Sequence, residues 1–185
     1  MGMLDILKGA YLASGAVDKT LEVAGVTAND RIERGTILVI DGGKFRKCTA
    51  ADATTGDLVG YVSLVESDRT AMAAGGALYT GTGANVLGVA AKLPVVTAVP
   101  LNIDGEFLCS EFTGADGGFV EGAYLTFGAT GKLAVGLKGT NTVVGQITVG
   151  PARKYHNYAS INGGMAQGAP VSVIQFASMY IPRTA

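Results

Sequence analysis

The sequence is poor in charge, holds one histidine and two cysteines, and contains no tryptophan. Charged residues make up 16% of its 185 residues, and the formal net charge is −1. Nucleic-acid binding draws on several neutralised phosphates, and no block or stripe of Lys or Arg is present to supply them. Nucleic acid is therefore not an expected partner. So little charge also leaves much of the surface poorly suited to water, which fits a chain covered by other subunits. His156, within Tyr155-His-Asn-Tyr158, cannot build a three-ligand zinc site without acidic or thiol partners at compatible spacing. It lacks a nucleophile elbow GxSxG to work with, so a structural role is expected. Cys48 and Cys109 show neither CxxC nor Cys/His spacing. Such thiols are expected as small buried hydrophobes, with no disulfide framework. The absence of tryptophan counts against a glycan-binding module.

Uninterrupted apolar runs are also missing. The longest, Val86 to Leu101, is broken by Lys92, Pro94 and Pro100 and is not expected to span a bilayer. Met1 to Ala16 ends in small residues, but Asp5, Lys8 and Gly9 interrupt any signal-peptide core. Ile6 stands where myristoylation needs Ser or Thr. Two Gly-rich phrases have the wrong spacing for phosphate binding. Gly81-Thr-Gly83-Ala-Asn-Val-Leu-Gly88 departs from the dinucleotide fingerprint, and Gly128-Ala-Thr-Gly131-Lys132 is followed by Leu133 rather than Ser or Thr. Both read as hairpins. Asp104, Glu106, Glu111 and Asp116 lie near one another without a calcium-loop spacing. No catalytic residue, cofactor or metal site is expected, and the chain is read as a non-enzyme.

What the chain does have is glycine, 28 residues of it, roughly double the usual share. Apolar residues at 48% are ample for a core. Gly118 to Gly150 reads as a β meander. Val120, Ala123, Leu125 and Phe127 mark its first strand, Gly128 to Gly131 turns the chain, Lys132 to Val135 returns, and Thr142 to Val149 follows. Glycine permits the positive φ of tight turns, and β-branched residues suit the pleat. Ile32 to Val62 echoes this pattern. Glu33-Arg-Gly35 matches Val120-Glu-Gly122, Leu38 matches Leu125, Gly43-Lys44 matches Gly131-Lys132, and Val59 to Val62 matches Val144 to Ile147. The echo reads either as two copies of one meander or as the shared phrasing of Gly-rich β proteins. A single meander is too small to bury its apolar face, so the two are expected to share a core.

In chain order, Leu4, Leu7 and Tyr11 at helical spacing predict a short helix over Met3 to Ser14. Thr20 to Val26 follows as a strand. Asp41-Gly42-Gly43 and Thr54 to Asp57 are turn signals inside the first meander. Ala77 to Tyr79 and Asn85 to Ala91 read as further strands. Pro94 and Pro100 bracket Val95 to Val99 as an edge strand or crossover, and Ile103 to Cys109 is a turn feeding a strand. Ala152 to Gly168 reads as an extended arm or long loop, and Val171 to Ile181 as a closing strand stopped by Pro182. The expected architecture is mainly β: a compact β-barrel or β-sandwich body built from two similar meanders, with extended N- and C-terminal arms and a short N-terminal helix. Residues 1–30 form the first arm, 31–150 the body and 151–185 the second arm.

Glu121 to Leu133, followed by Val144 to Thr148, resembles the head decoration, or cement, proteins of tailed bacteriophages. Pro100 to Phe107, Gly35 to Val62 and the terminal Val171 to Pro182 run share the style. The resemblance implies a virion protein, made in the host cytoplasm, that seats as a homotrimer on the outside of an icosahedral capsid. Its partner would be the major capsid protein, with no nucleic acid and no membrane involved. Apolar residues outside the repeated body are then the candidate capsid contacts: Leu4, Ile6, Leu7 and Tyr11 first, Tyr155 and Tyr158 second. Another virion component, such as a tail-tube or adaptor protein, is the alternative, with a non-enzymatic ligand-binding β module behind it.

Overall fold

The computed structural model describes residues 4–9, 19–25, 31–56, 58–64, 67–68, 95–113, 118–161 and 164–184. Its strands are β1 Leu4–Gly9, β2 Lys19–Glu22, β3 Arg31–Ile32, β4 Ile37–Asp41, β5 Lys44–Lys47, β6 Tyr61–Ser63 and β7 Ser67–Asp68. They continue as β8 Val95–Pro100, β9 Gly105–Cys109, β10 Tyr124–Phe127, β11 Leu133–Gly136, β12 Val143–Ile161 and β13 Gly164–Ile181. Only short 3-10 turns, such as Ala50–Ala53, supply helical structure among the described residues. The mainly β class expected from glycine content and alternation is what forms.

Five strands in the order β2-β8-β6-β4-β5 make an antiparallel sheet that curls almost into a barrel. The seam is drawn together where Val23 bridges Phe45 and the Ala24 N–H donates to the Phe45 carbonyl at 2.7 Å. Lys44 Nζ and Glu22 Oε2 meet across it at 2.9 Å. Inside pack Val23, Ile32, Leu38, Phe45, Tyr61 and Val96, with the Phe45 and Tyr61 rings 5.3 Å apart. Ile37, Val39, Val62 and Val99 point the other way, into a second core. With both faces covered, Ile37-Leu38-Val39 is a continuous apolar run rather than an alternating one. β8 is an inner strand, not the edge or crossover predicted. Pro94 and Pro100 sit before it and at its end, so no interior ladder donor is lost.

Six antiparallel strands in the order β1-β9-β13-β12-β10-β11 form the opposing layer. Phe107, Leu125, Phe127, Leu133, Ile147 and Phe176 fill the space between the layers, and Cys48 and Cys109 are buried among them. Two sheets sealing one apolar core is the stable solution open to strands that each have an oily face. A two-stranded β3–β7 ladder completes the topology.

The two meanders share an arrangement: the first strand is central, with the third and second on either side, as β6-β4-β5 and as β12-β10-β11. Gly35 and Gly122, at φ 92° and 85°, donate to equivalent carbonyls on Ser63 and Ile147. Gly43 and Gly131, at φ 78° and 79°, close equivalent turns. The third strands match one residue away from the sequence alignment. Leu38 pairs with Tyr61 as Leu125 pairs with Gly145, so Tyr61 rather than Gly60 is the counterpart of Gly145. The Val-Gly phrase common to both strands falls at different ladder positions.

Two local expectations are corrected. Leu4–Gly9 is strand β1, not the first part of a helix over Met3 to Ser14; Met3 and residues 10–14 lie outside the described residues. A lone helix of that length is marginal, whereas β9 offers a backbone edge that β1 takes up from Leu4↔Cys109 to Gly9↔Gly105. The stretch Ala152 to Gly168, read as an extended arm or long loop, is strand on both sides of residues 162–163: it belongs to β12 up to Ile161 and to β13 from Gly164, and the two pair out to Ile161↔Gly164. Asn162-Gly163, between the two strands, is the dipeptide that two-residue hairpin loops favour. The strands predicted at Ala77 to Tyr79 and Asn85 to Ala91 lie outside the described residues.

Candidate functional site

Near its base the β12–β13 hairpin is embedded in the six-stranded sheet. β12 pairs with β10 at Gly145 and Gln146, and β13 pairs with β9 at Ile174 to Ala177. Beyond that, from Arg153↔Val173 to Ile161↔Gly164, the two strands pair only with each other among the described residues. The projecting ribbon spans roughly 25–30 Å at the usual rise of a strand. Between Lys154 and Arg183 the chain contains no Asp, Glu, Lys or Arg. Isolated two-stranded ribbons are marginal in water, and exposed edges are ordinarily blunted by charge or proline.

Several other sheet edges among the described residues are covered or charged. β5 is closed by Val23 and Ala24. β11 is capped at Leu133, whose N–H donates to Glu111 and whose carbonyl accepts from Thr113, and at Leu137, whose N–H donates to Asn141 Oδ1. β1 carries Asp5 and Lys8. Val120, Val135 and Leu137, in or beside the second meander, are exposed apolar residues.

The predicted contact residues separate into two groups on one sheet. Leu4 and Ile6 lie opposite Cys109 and Phe107, and Leu7 falls in the bulge between Ile6 and Lys8. Tyr155 and Tyr158 lie on the ribbon opposite Val171 and Gln167. Tyr11, and the side chains of the other five, lie outside the described part. The signal for the ribbon in the sequence is Asn162-Gly163 flanked by apolar residues.

An ion pair braces the turn from which the chain reaches the opposing layer. Arg46 Nη1 and Nη2 each donate to Asp52 at 2.7 Å, and the Thr49 N–H donates to the same carboxylate at 2.7 Å. Arg46 Nε also reaches Asp41 at 3.2 Å. Burial alone would raise the Asp52 carboxyl, but Arg46 and Thr49 hold it below the ordinary carboxylate range. The Arg46 guanidinium is raised by its hydrogen bond to Asp52, which outweighs burial. From this turn the chain reaches across: Gly131 N–H donates to the Cys48 carbonyl at 2.9 Å, and Thr142 N–H donates to that of Ala53 at 2.9 Å. Burial pushes the Cys48 and Cys109 thiols up to about 12, which keeps them inert as nucleophiles.

Thr142 Oγ1 is buried with no hydrogen-bond partner. Its backbone is fully used, since its carbonyl accepts from Thr126 Oγ1 at 2.7 Å. Thr142→Val keeps the shape and removes the unpaired hydroxyl, so it is expected to stabilise the fold by about 1 kcal/mol. Urea denaturation showing a loss instead would mean that the hydroxyl is satisfied in solution.

Of the four carboxylates noted in the sequence, Glu106 accepts from Gln175 Nε2 at 2.7 Å and Thr148 Oγ1 at 3.3 Å, and Glu111 accepts from Ser110 at 3.3 Å. Asp104 is exposed, and Asp116 lies outside the described residues. No group of three or more His, Cys, Asp or Glu suited to a metal ion occurs among the described residues. The side chain of His156 lies outside them. Comparison with family models, curated proteins and solved structures finds no match for this chain.

Proposed function

We propose that this protein is a structural, non-enzymatic component of a phage virion, seated on the outside of the capsid, where it stabilises contacts between major capsid subunits. The observation that carries this reading is the β12–β13 ribbon, which carries no charge beyond Lys154 and pairs only with itself among the described residues outside the two-layer body. Such a ribbon gains most of its order from a surface that covers it. The β body supplies a rigid base, and Tyr155 and Tyr158 place aromatic residues on the projecting part. Because β1 is committed to the sheet through its backbone, the ribbon becomes the favoured contact over Leu4, Ile6 and Leu7. Binding only to an expanded shell stabilises that shell by mass action, and several contacts per oligomer add as avidity.

The test is co-sedimentation with empty expanded shells of the phage that encodes this chain. Saturable binding, a higher shell melting temperature, and loss of both in a Tyr155→Ser/Tyr158→Ser variant are expected. Shells that melt unchanged in the presence of excess protein would rule the reading out. The same ribbon favours a second reading, a tail-tube or adaptor component, because tube subunits join through long strands. Stacked rings in negative stain would select it.

A further inference from the structure

We draw no further inference here: the strongest candidate, the pair of exposed apolar residues Val135 and Leu137 at the β11 edge of the six-stranded sheet, carries no proposal because nothing in the structure shows what covers them.

Discussion

Arg46→Ala is expected to lower the unfolding free energy by about 3–5 kcal/mol, because it leaves the Asp52 carboxylate buried without its counter-charge. Asp52 is only 3% exposed, and it accepts both guanidinium nitrogens at 2.7 Å. The effect should exceed that of breaking the exposed Lys44–Glu22 pair, which sits in water at both ends. It also reaches beyond the barrel, since Cys48 and Ala53 on the same turn hold Gly131 and Thr142 of the opposing layer. Urea denaturation should show a lower midpoint with an unchanged slope.

The same pair sets a pH dependence. Asp52 is depressed in the folded chain, so the unfolded chain binds a proton more readily in the acid range. Stability from this group is fully present above the ordinary carboxyl value of about 4 and is lost as pH falls through the depressed folded value. The deficit of Arg46→Ala should therefore shrink on acidification, because protonation neutralises the carboxylate it leaves unpaired. Asp52→Asn should remove this part of the acid slope. An acid unfolding profile for Asp52→Asn identical in shape to that of the parent would show that Asp52 contributes nothing to it.

Phe176→Ala is expected to cost about 3–5 kcal/mol, the range for deleting a buried aromatic side chain. Phe176 is fully buried and stacks on Phe107 with centroids 5.5 Å apart and rings 25° from parallel. Its place depends on a missing side chain. A Cβ on Gly145 would lie 2.7 Å from Phe176 Cδ2 and 3.0 Å from the Ala177 carbonyl. Gly145→Ala should thus be destabilising in the parent and less so once Phe176 is alanine, because only the backbone conflict then remains. Strictly additive effects in this double-mutant cycle would show that the ring and the glycine do not share the space.

The parts of the structure that depend on neighbours in the chain are legible in the sequence. Asp41-Gly42-Gly43 announced the β4–β5 turn because consecutive positive φ angles need glycine. Gly131 marked the matching turn, and the burial of Cys48 and Cys109 followed from their lack of partners in the sequence. Leu38 and Leu125 were identified as equivalents and do occupy the same ladder position. They nevertheless enter different cores, Leu38 inside the barrel and Leu125 between the layers. Each meander is built from local turns, but which layer covers its face is chosen by strands far away in the chain.

Local pattern and structure part where a distant partner decides. Leu4, Leu7 and Tyr11 have helical spacing, yet Leu4–Gly9 joins β9 about a hundred residues later, and a ready-made ladder outweighs a weak local preference. Pro94 and Pro100 suggested an edge, yet the strands on either side of β8 come from Lys19–Glu22 and Tyr61–Ser63. Composition and turn chemistry settle that this chain makes strands, where many of them reverse, and that its surface is sparingly charged. Strand order, the split into two cores and the bonds from the Cys48–Ala53 turn to Gly131 and Thr142 arise only on folding, because each joins segments far apart in the chain, a separation no local pattern encodes.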